Sequence, residues 1–137
     1  MPTSTADELK KVALFSGLSQ RQLRRLARLC KVREYDPGQS VVSQGHMSGI
    51  CFFVIAEGEA STSIDDKDVG TLRPGDHFGE LSLISGQPRG ATVTAKVPMR
   101  CLVMTSWDFQ RFVKDNPDVS WKLLKYLAEL VARERSR

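Results

Sequence analysis

The sequence predicts an α+β domain, with helices at both ends of a small β-barrel or jelly roll. Three observations carry that expectation. Residues before Tyr35 and after Thr105 place their apolar side chains at helical spacing. The stretch between them breaks into short β-rich runs separated by glycine. The 137 residues, 41% hydrophobic and 26% charged, fit one globular domain that can bury a core without staples.

Residues 7–16 and 19–31 are expected to be helical. Ser19 is the N-cap candidate of the second helix, and Gly17 separates the two. Leu23, Leu26, Ala27 and Leu29 supply its apolar side, with arginines between them. The expected β-runs include Ser40–Ser43, Ile50–Ile55, Glu59–Ile64, Ala91–Ala95 and Arg100–Thr105, set among Gly38, Gly45, Gly49, Gly58, Gly70, Gly75 and Gly79. Pro37-Gly38 and Pro74-Gly75 are turn signals, and Asp65-Asp66-Lys67-Asp68 reads as a polar hairpin tip. Ser106 then caps a helix over Trp107–Lys114, with Asp108 in its first turn. Pro117 opens a last helix, on which Val119, Leu123, Tyr126, Leu127 and Leu130 form an apolar stripe. The charged end, Ala132 to Arg137, is expected to fray. The sequence holds no internal repeat and no low-complexity segment.

Composition narrows the function. The longest apolar run, Ile50 to Ala56, is far shorter than the ~18 to 20 residues of a membrane span, and no segment reads as a signal peptide. Cys30, Cys51 and Cys101 are odd in number and widely spaced, which argues against a disulfide framework or zinc site and for reduced thiols in a cytoplasmic protein. His46 and His77 do not supply the three ligands of a metal enzyme, and Ser82 and Ser85 have no evident activating base. The expectation is therefore a non-enzyme without metal or cofactor. The net charge of +4 is uneven, with eight basic side chains against three acidic ones in residues 1–34 and an acidic balance over residues 35–105. A basic helix marks a nucleic-acid or membrane contact, or simply a solvated face.

One stretch, Phe78 to Val93, carries chemistry. Glu80 to Ile84 can form one helical turn, an odd insertion among strands. Gly79 allows close backbone approach to a ligand, and the first-turn amides of such a helix favour an anion. Arg89 can return across the loop, where its guanidinium fork suits two phosphate oxygens. Glu80 is an acceptor that can take a sugar hydroxyl. Together they describe a pocket for one phosphate beside a ribose. The alternative at this point is that Glu80 and Arg89 merely pair with each other.

The stretch Phe78-Gly79-Glu80-Leu81-Ser82-Leu83 through Pro88-Arg89-Gly90-Ala91-Thr92-Val93 resembles the phosphate-binding cassette of the cyclic-nucleotide-binding domain family, known from protein kinase A regulatory subunits, cyclic-nucleotide-gated channels and bacterial catabolite activators. Leu14-Phe15-Ser16-Gly17-Leu18, Tyr35-Asp36-Pro37-Gly38, Gln44-Gly45, Phe53 to Gly58 and Leu72 to His77 extend the resemblance to roughly residues 8–131.

The resemblance implies an eight-stranded antiparallel β-roll, jelly-roll-like, over residues 35–105, with N-terminal helices over 7–34 and two C-terminal helices over 106–135 forming hinge and lid, all within one domain of residues 1–137. It further implies that Glu80 accepts from the ribose 2′-hydroxyl and that Arg89 pairs with the cyclic phosphate. Backbone near Leu81, Ser82 and Ala91 completes the anion site, Gly79 holds the turn, and Thr92 is structural. Gly90 lacks the hydroxyl that cGMP-preferring relatives place after the arginine, so cAMP is expected to bind better than cGMP by a modest factor. Val54, Ile64, Val69 and Leu72 are candidates for the base slot, and Tyr126, Leu127 and Leu130 for the lid, with Arg133 within possible reach; for each, ordinary core packing is the competing reading. The expected partners are a cyclic nucleotide and an unidentified effector domain or protein. No DNA-binding domain, kinase, channel pore or acetyltransferase is legible in the chain. A degenerate relative that binds partners but no nucleotide, and an unrelated β-barrel enzyme, are the competing functions.

Overall fold

The computed structural model describes residues 4–46 and 51–135. Its helices are α1 (Thr5–Lys10), α2 (Gln20–Leu29), α3 (Glu80–Ser85), α4 (Ser106–Asp115) and α5 (Pro117–Arg135). A 3₁₀ turn at Ala13–Phe15 joins α1 to α2. The strands are β1 (Lys31–Tyr35), β2 (Ser40–Val42), β3 (Cys51–Glu57), β4 (Ala60–Ile64), β5 (Lys67–Leu72), β6 (His77–Phe78), β7 (Thr92–Ala95) and β8 (Met99–Thr105). They form two four-stranded antiparallel sheets, ordered β1-β8-β3-β6 and β2-β7-β4-β5. This is the eight-stranded roll with helices at both ends. Gly49 and Ile50, expected in a turn and at the head of a strand, lie outside the described residues, as do residues 1–3 and 136–137.

The apolar run in β3 is explained by burial on both faces. Phe52 and Val54 pair with Met104 and Leu102 of β8 and join the core formed with the helices. Phe53 and Ile55 pair with Val103 and Cys101 and face the space between the sheets, with Phe78, Val93 and Met99. Aromatic contacts then fasten the helices to this strand. Phe52 stacks on Phe109 of α4 at 4.4 Å and meets Phe15 edge-on at 6.0 Å.

Several boundaries differ from expectation, each for a physical reason. The expected helix over 7–16 ends at Lys10. Leu9 of α1, Val12 ahead of the 3₁₀ turn and Phe15 within it, spaced by three, all enter the core. The second helix ends at Leu29, and the roll begins at Lys31 rather than Tyr35, because Lys31–Tyr35 finds a complete ladder partner in Val103–Met99. Thr105, not Ser106, caps α4, its hydroxyl accepting from the Asp108 amide at 3.2 Å. The hairpin tip is two residues, Asp65 and Asp66, both at positive φ, and Lys67 and Asp68 already pair in β5. α5 continues through Arg135, past the point where fraying was expected. Ser19 does cap α2, in a reciprocal capping box with Gln22. Arg21, Arg24, Arg25 and Arg28 lie exposed along α2. No described helix is long and apolar enough to cross a membrane.

Candidate functional site

The site forms where α3 interrupts the strands. Gly79 precedes α3 at φ 98°, a left-handed conformation that glycine adopts without cost. A Cβ there would collide with the Cys51 carbonyl oxygen and lie 3.2 Å from Arg89 Nη1. The glycine thus lets α3, β3 and Arg89 close on one point. Gly86, also left-handed, ends the helix, and Arg89 enters the protein four residues before Val93 of β7.

Arg89 is 5% exposed. Its Nη1 donates to the Gly79 carbonyl at 3.0 Å and its Nη2 to the Cys51 carbonyl at 3.5 Å. Burial is the main influence on its pKa, pulling it below the ordinary arginine value, while neighbouring Cys51 and Glu80 act in the opposite direction. Glu80 is 3% exposed and lies against His77, with Nδ1 to Oε2 at 3.3 Å. Among the described ion pairs none joins Glu80 to Arg89, so the simple surface-pair alternative does not describe this arrangement. Among the described residues the buried polar or charged side chains are Glu80, Ser82 and Arg89, and all three line one cavity of about 370 Å³. That volume falls in the range of small-molecule sites, about 300–1,000 Å³.

The structure brings Gly79, Glu80, Leu81, Ser82, Arg89, Gly90 and Ala91 together around this cavity. Of the base-slot and lid candidates it adds Ile64, Leu72 and Tyr126. The other four do not line the cavity in this arrangement. Val54 points to the opposite face of β3, into the helix-side core. Val69 is 57% exposed on β5. Leu127 packs on the helix-side core, and Leu130, half-buried on α5, does not reach the cavity wall. Thr92 is structural, its hydroxyl accepting from the Gln44 amide at 2.9 Å.

Sequence reasoning missed Val42, Thr62, His77, Phe78 and Val93 in the wall. Thr62 was within reach, being two residues from Ile64 on the same strand face. In the sequence His77 stands out only as a metal-ligand candidate and as part of the run that leads into the cassette. Tyr126 crosses from α5, its ring 4.9 Å from His77. Burial pushes its phenol up to about 12, with the Glu80 charge and a hydrogen bond to Glu80 adding to the rise.

A family model for the cyclic nucleotide-binding domain matches residues 32–116, more than half of the chain. Similar proteins include a cGMP-dependent protein kinase of Eimeria tenella, 34% identical over 94 residues, which make up 69% of this chain and 9% of the kinase. They also include a cAMP-dependent protein kinase regulatory subunit of Yarrowia lipolytica, 34% identical over 107 residues, or 77% of this chain and 28% of the subunit. The chain therefore spans less than a third of the length of these relatives. Among solved structures, the regulatory domain of Toxoplasma gondii PKA with cAMP matches with a TM-score of 0.81 at 25% identity, over 91% of this chain and 49% of that one. The Thermus thermophilus catabolite activator protein matches with a TM-score of 0.82 at 24% identity, over 89% of this chain and 59% of that one, a likeness of fold. By the extent of the family match and the two-sheet roll around its cavity, the chain belongs to the cyclic nucleotide-binding domain family.

Proposed function

We propose that this domain is a non-catalytic cAMP sensor that acts in the cytoplasm on an effector domain or partner protein. The observation that carries the reading is the placement of Glu80, Ser82 and Arg89, three buried polar or charged side chains on one cavity wall. Charged groups are buried only where something repays their desolvation. Arg89 offers a planar fork to the exocyclic phosphate oxygens, supported by backbone near Leu81, Ser82 and Ala91. Glu80 accepts from the ribose 2′-hydroxyl. Ile64, Leu72 and Val93 provide apolar surface for the base. Gly90 offers no hydroxyl to a guanine amino group, which favours cAMP modestly.

Output requires a second state. Ligand phosphate draws the cassette toward itself, and α4 and α5 move to cover the base. Tyr126 of α5 already stands at the cavity, so ligand and helix meet there directly. The ligand shifts this equilibrium only by its differential affinity for the covered state. Calorimetry with cAMP and cGMP tests the reading. Both should release or absorb heat, cAMP binding more tightly by less than roughly tenfold, the worth of one hydrogen bond. A folded sample that shows no heat at millimolar cAMP overturns it.

A further inference from the structure

We propose that His77 is a positioning residue that holds the Glu80 carboxylate for a 2′-hydroxyl, and so sets the preference of the cavity for a ribose over a 2′-deoxyribose. The inference rests on the cyclic-nucleotide reading above. His77 Nδ1 and Glu80 Oε2 lie 3.3 Å apart. Both atoms are buried, and neither has an aligned hydrogen-bond partner among the described residues, so each faces the other across an ion-pair contact. A carboxylate oxygen only accepts, so the contact is favourable when Nδ1 carries the proton. One carboxylate oxygen then faces the imidazole, and the other is shared between the Tyr126 hydroxyl and an incoming sugar hydroxyl.

The imidazole is itself held in place. Its ring lies 5.4 Å from Phe52 of β3 and 4.9 Å from Tyr126 of α5. Phe52 is fully buried and stacks on Phe109, so one side of the clamp is rigid core. On its other side His77 borders a second cavity of about 290 Å³ between the 3₁₀ turn and α5, where Lys122, Lys125 and Glu129 are the charged neighbours. His77 therefore forms part of the wall between the nucleotide cavity and the underside of α5. A donor fixed by packing holds its acceptor in one geometry before the ligand arrives, which removes an ordering cost from binding.

The test compares cAMP with 2′-deoxy-cAMP by calorimetry on the wild type and two variants. His77→Phe keeps a ring between Phe52 and Tyr126 but removes the donor. His77→Asn restores an N–H close to the Nδ1 position. The wild type should prefer cAMP over the deoxy analogue. In His77→Phe that ratio should fall about tenfold, mostly through weaker cAMP binding, and His77→Asn should recover most of it. Because each ratio is taken within one protein sample, a partly folded variant still reports it. An unchanged ratio in His77→Phe overturns the assignment. An equal loss of both ligands overturns it too, since that marks a packing role alone. If the wild type binds neither ligand, the cyclic-nucleotide reading fails and this assignment with it, an outcome distinct from the other two.

Discussion

Among the described residues, Arg89 donates to carbonyl oxygens, and no described ion pair ties it to a carboxylate. Arg89 donates to Gly79 and Cys51, in the turn and strand that frame the cavity, so the guanidinium is aimed before any ligand is present. Charge-assisted hydrogen bonds of this kind are worth about 1.5–3 kcal/mol. Arg89→Ala is accordingly expected to weaken cAMP binding by roughly 10- to 150-fold in calorimetry. Arg89→Lys keeps the charge but loses the fork, and is expected to fall in between. An Arg89→Ala protein that folds and binds with unchanged affinity would place the phosphate elsewhere. The identities of Glu80 and Arg89 were readable as candidates because a short motif surrounds them. Their burial was not, since a glutamate and an arginine are ordinary surface residues and only the closure of α3 on β3 removes them from water.

At the scale of the element, α3 depends on the left-handed turn at Gly79. Gly79→Ala brings a Cβ against the Cys51 carbonyl oxygen and next to Arg89 Nη1, in a conformation that side chains rarely adopt. The expected cost is about 1–3 kcal/mol in urea denaturation, together with weaker cAMP binding because Arg89 is displaced. Wild-type stability and affinity in Gly79→Ala would show that the turn can relax freely. The cassette was legible because Gly79, Pro88 and the apolar positions of α3 act through local geometry. β1 was not legible. Four of its five residues are exposed and three are charged, so it carries no alternating pattern of its own. It is an edge strand created by its ladder with β8. The start of α4 was misplaced by one residue for a similar reason, because Thr105 and Ser106 are both good caps and only the end of β8 chooses between them.

At the scale of the molecule, two cores share β3 and β8, one between the sheets and one under the helices. Arg100 adds a polar tie across the seam, reaching Glu8 of α1 and Glu57 of β3. The cores also fix the alkaline behaviour. Burial pushes the Cys30 and Cys101 thiols from an ordinary 9.0 up to about 12, and Tyr126 reaches a similar value. Above pH 9 the unfolded chain releases thiol protons that the folded one retains, so stability is full below pH 9 and is lost as pH rises toward 12. For the fully buried Cys101 the loss approaches about 4 kcal/mol. Melting temperatures between pH 8 and 11 should fall, and the fall should be shallower in Cys101→Ala. A flat wild-type profile would contradict the burial of these thiols. The sequence by itself determined the helix–roll–helix plan and the cassette at residues 78–93, because turn glycines, caps and strand propensity act over a few neighbouring residues. Only the tertiary structure decided which apolar residues wall the cavity and that His77 meets Glu80 beneath Tyr126. A period of two says that a strand has two faces but not which one looks inward, and the meeting of β6 with α5 depends on how the last helix packs across the roll.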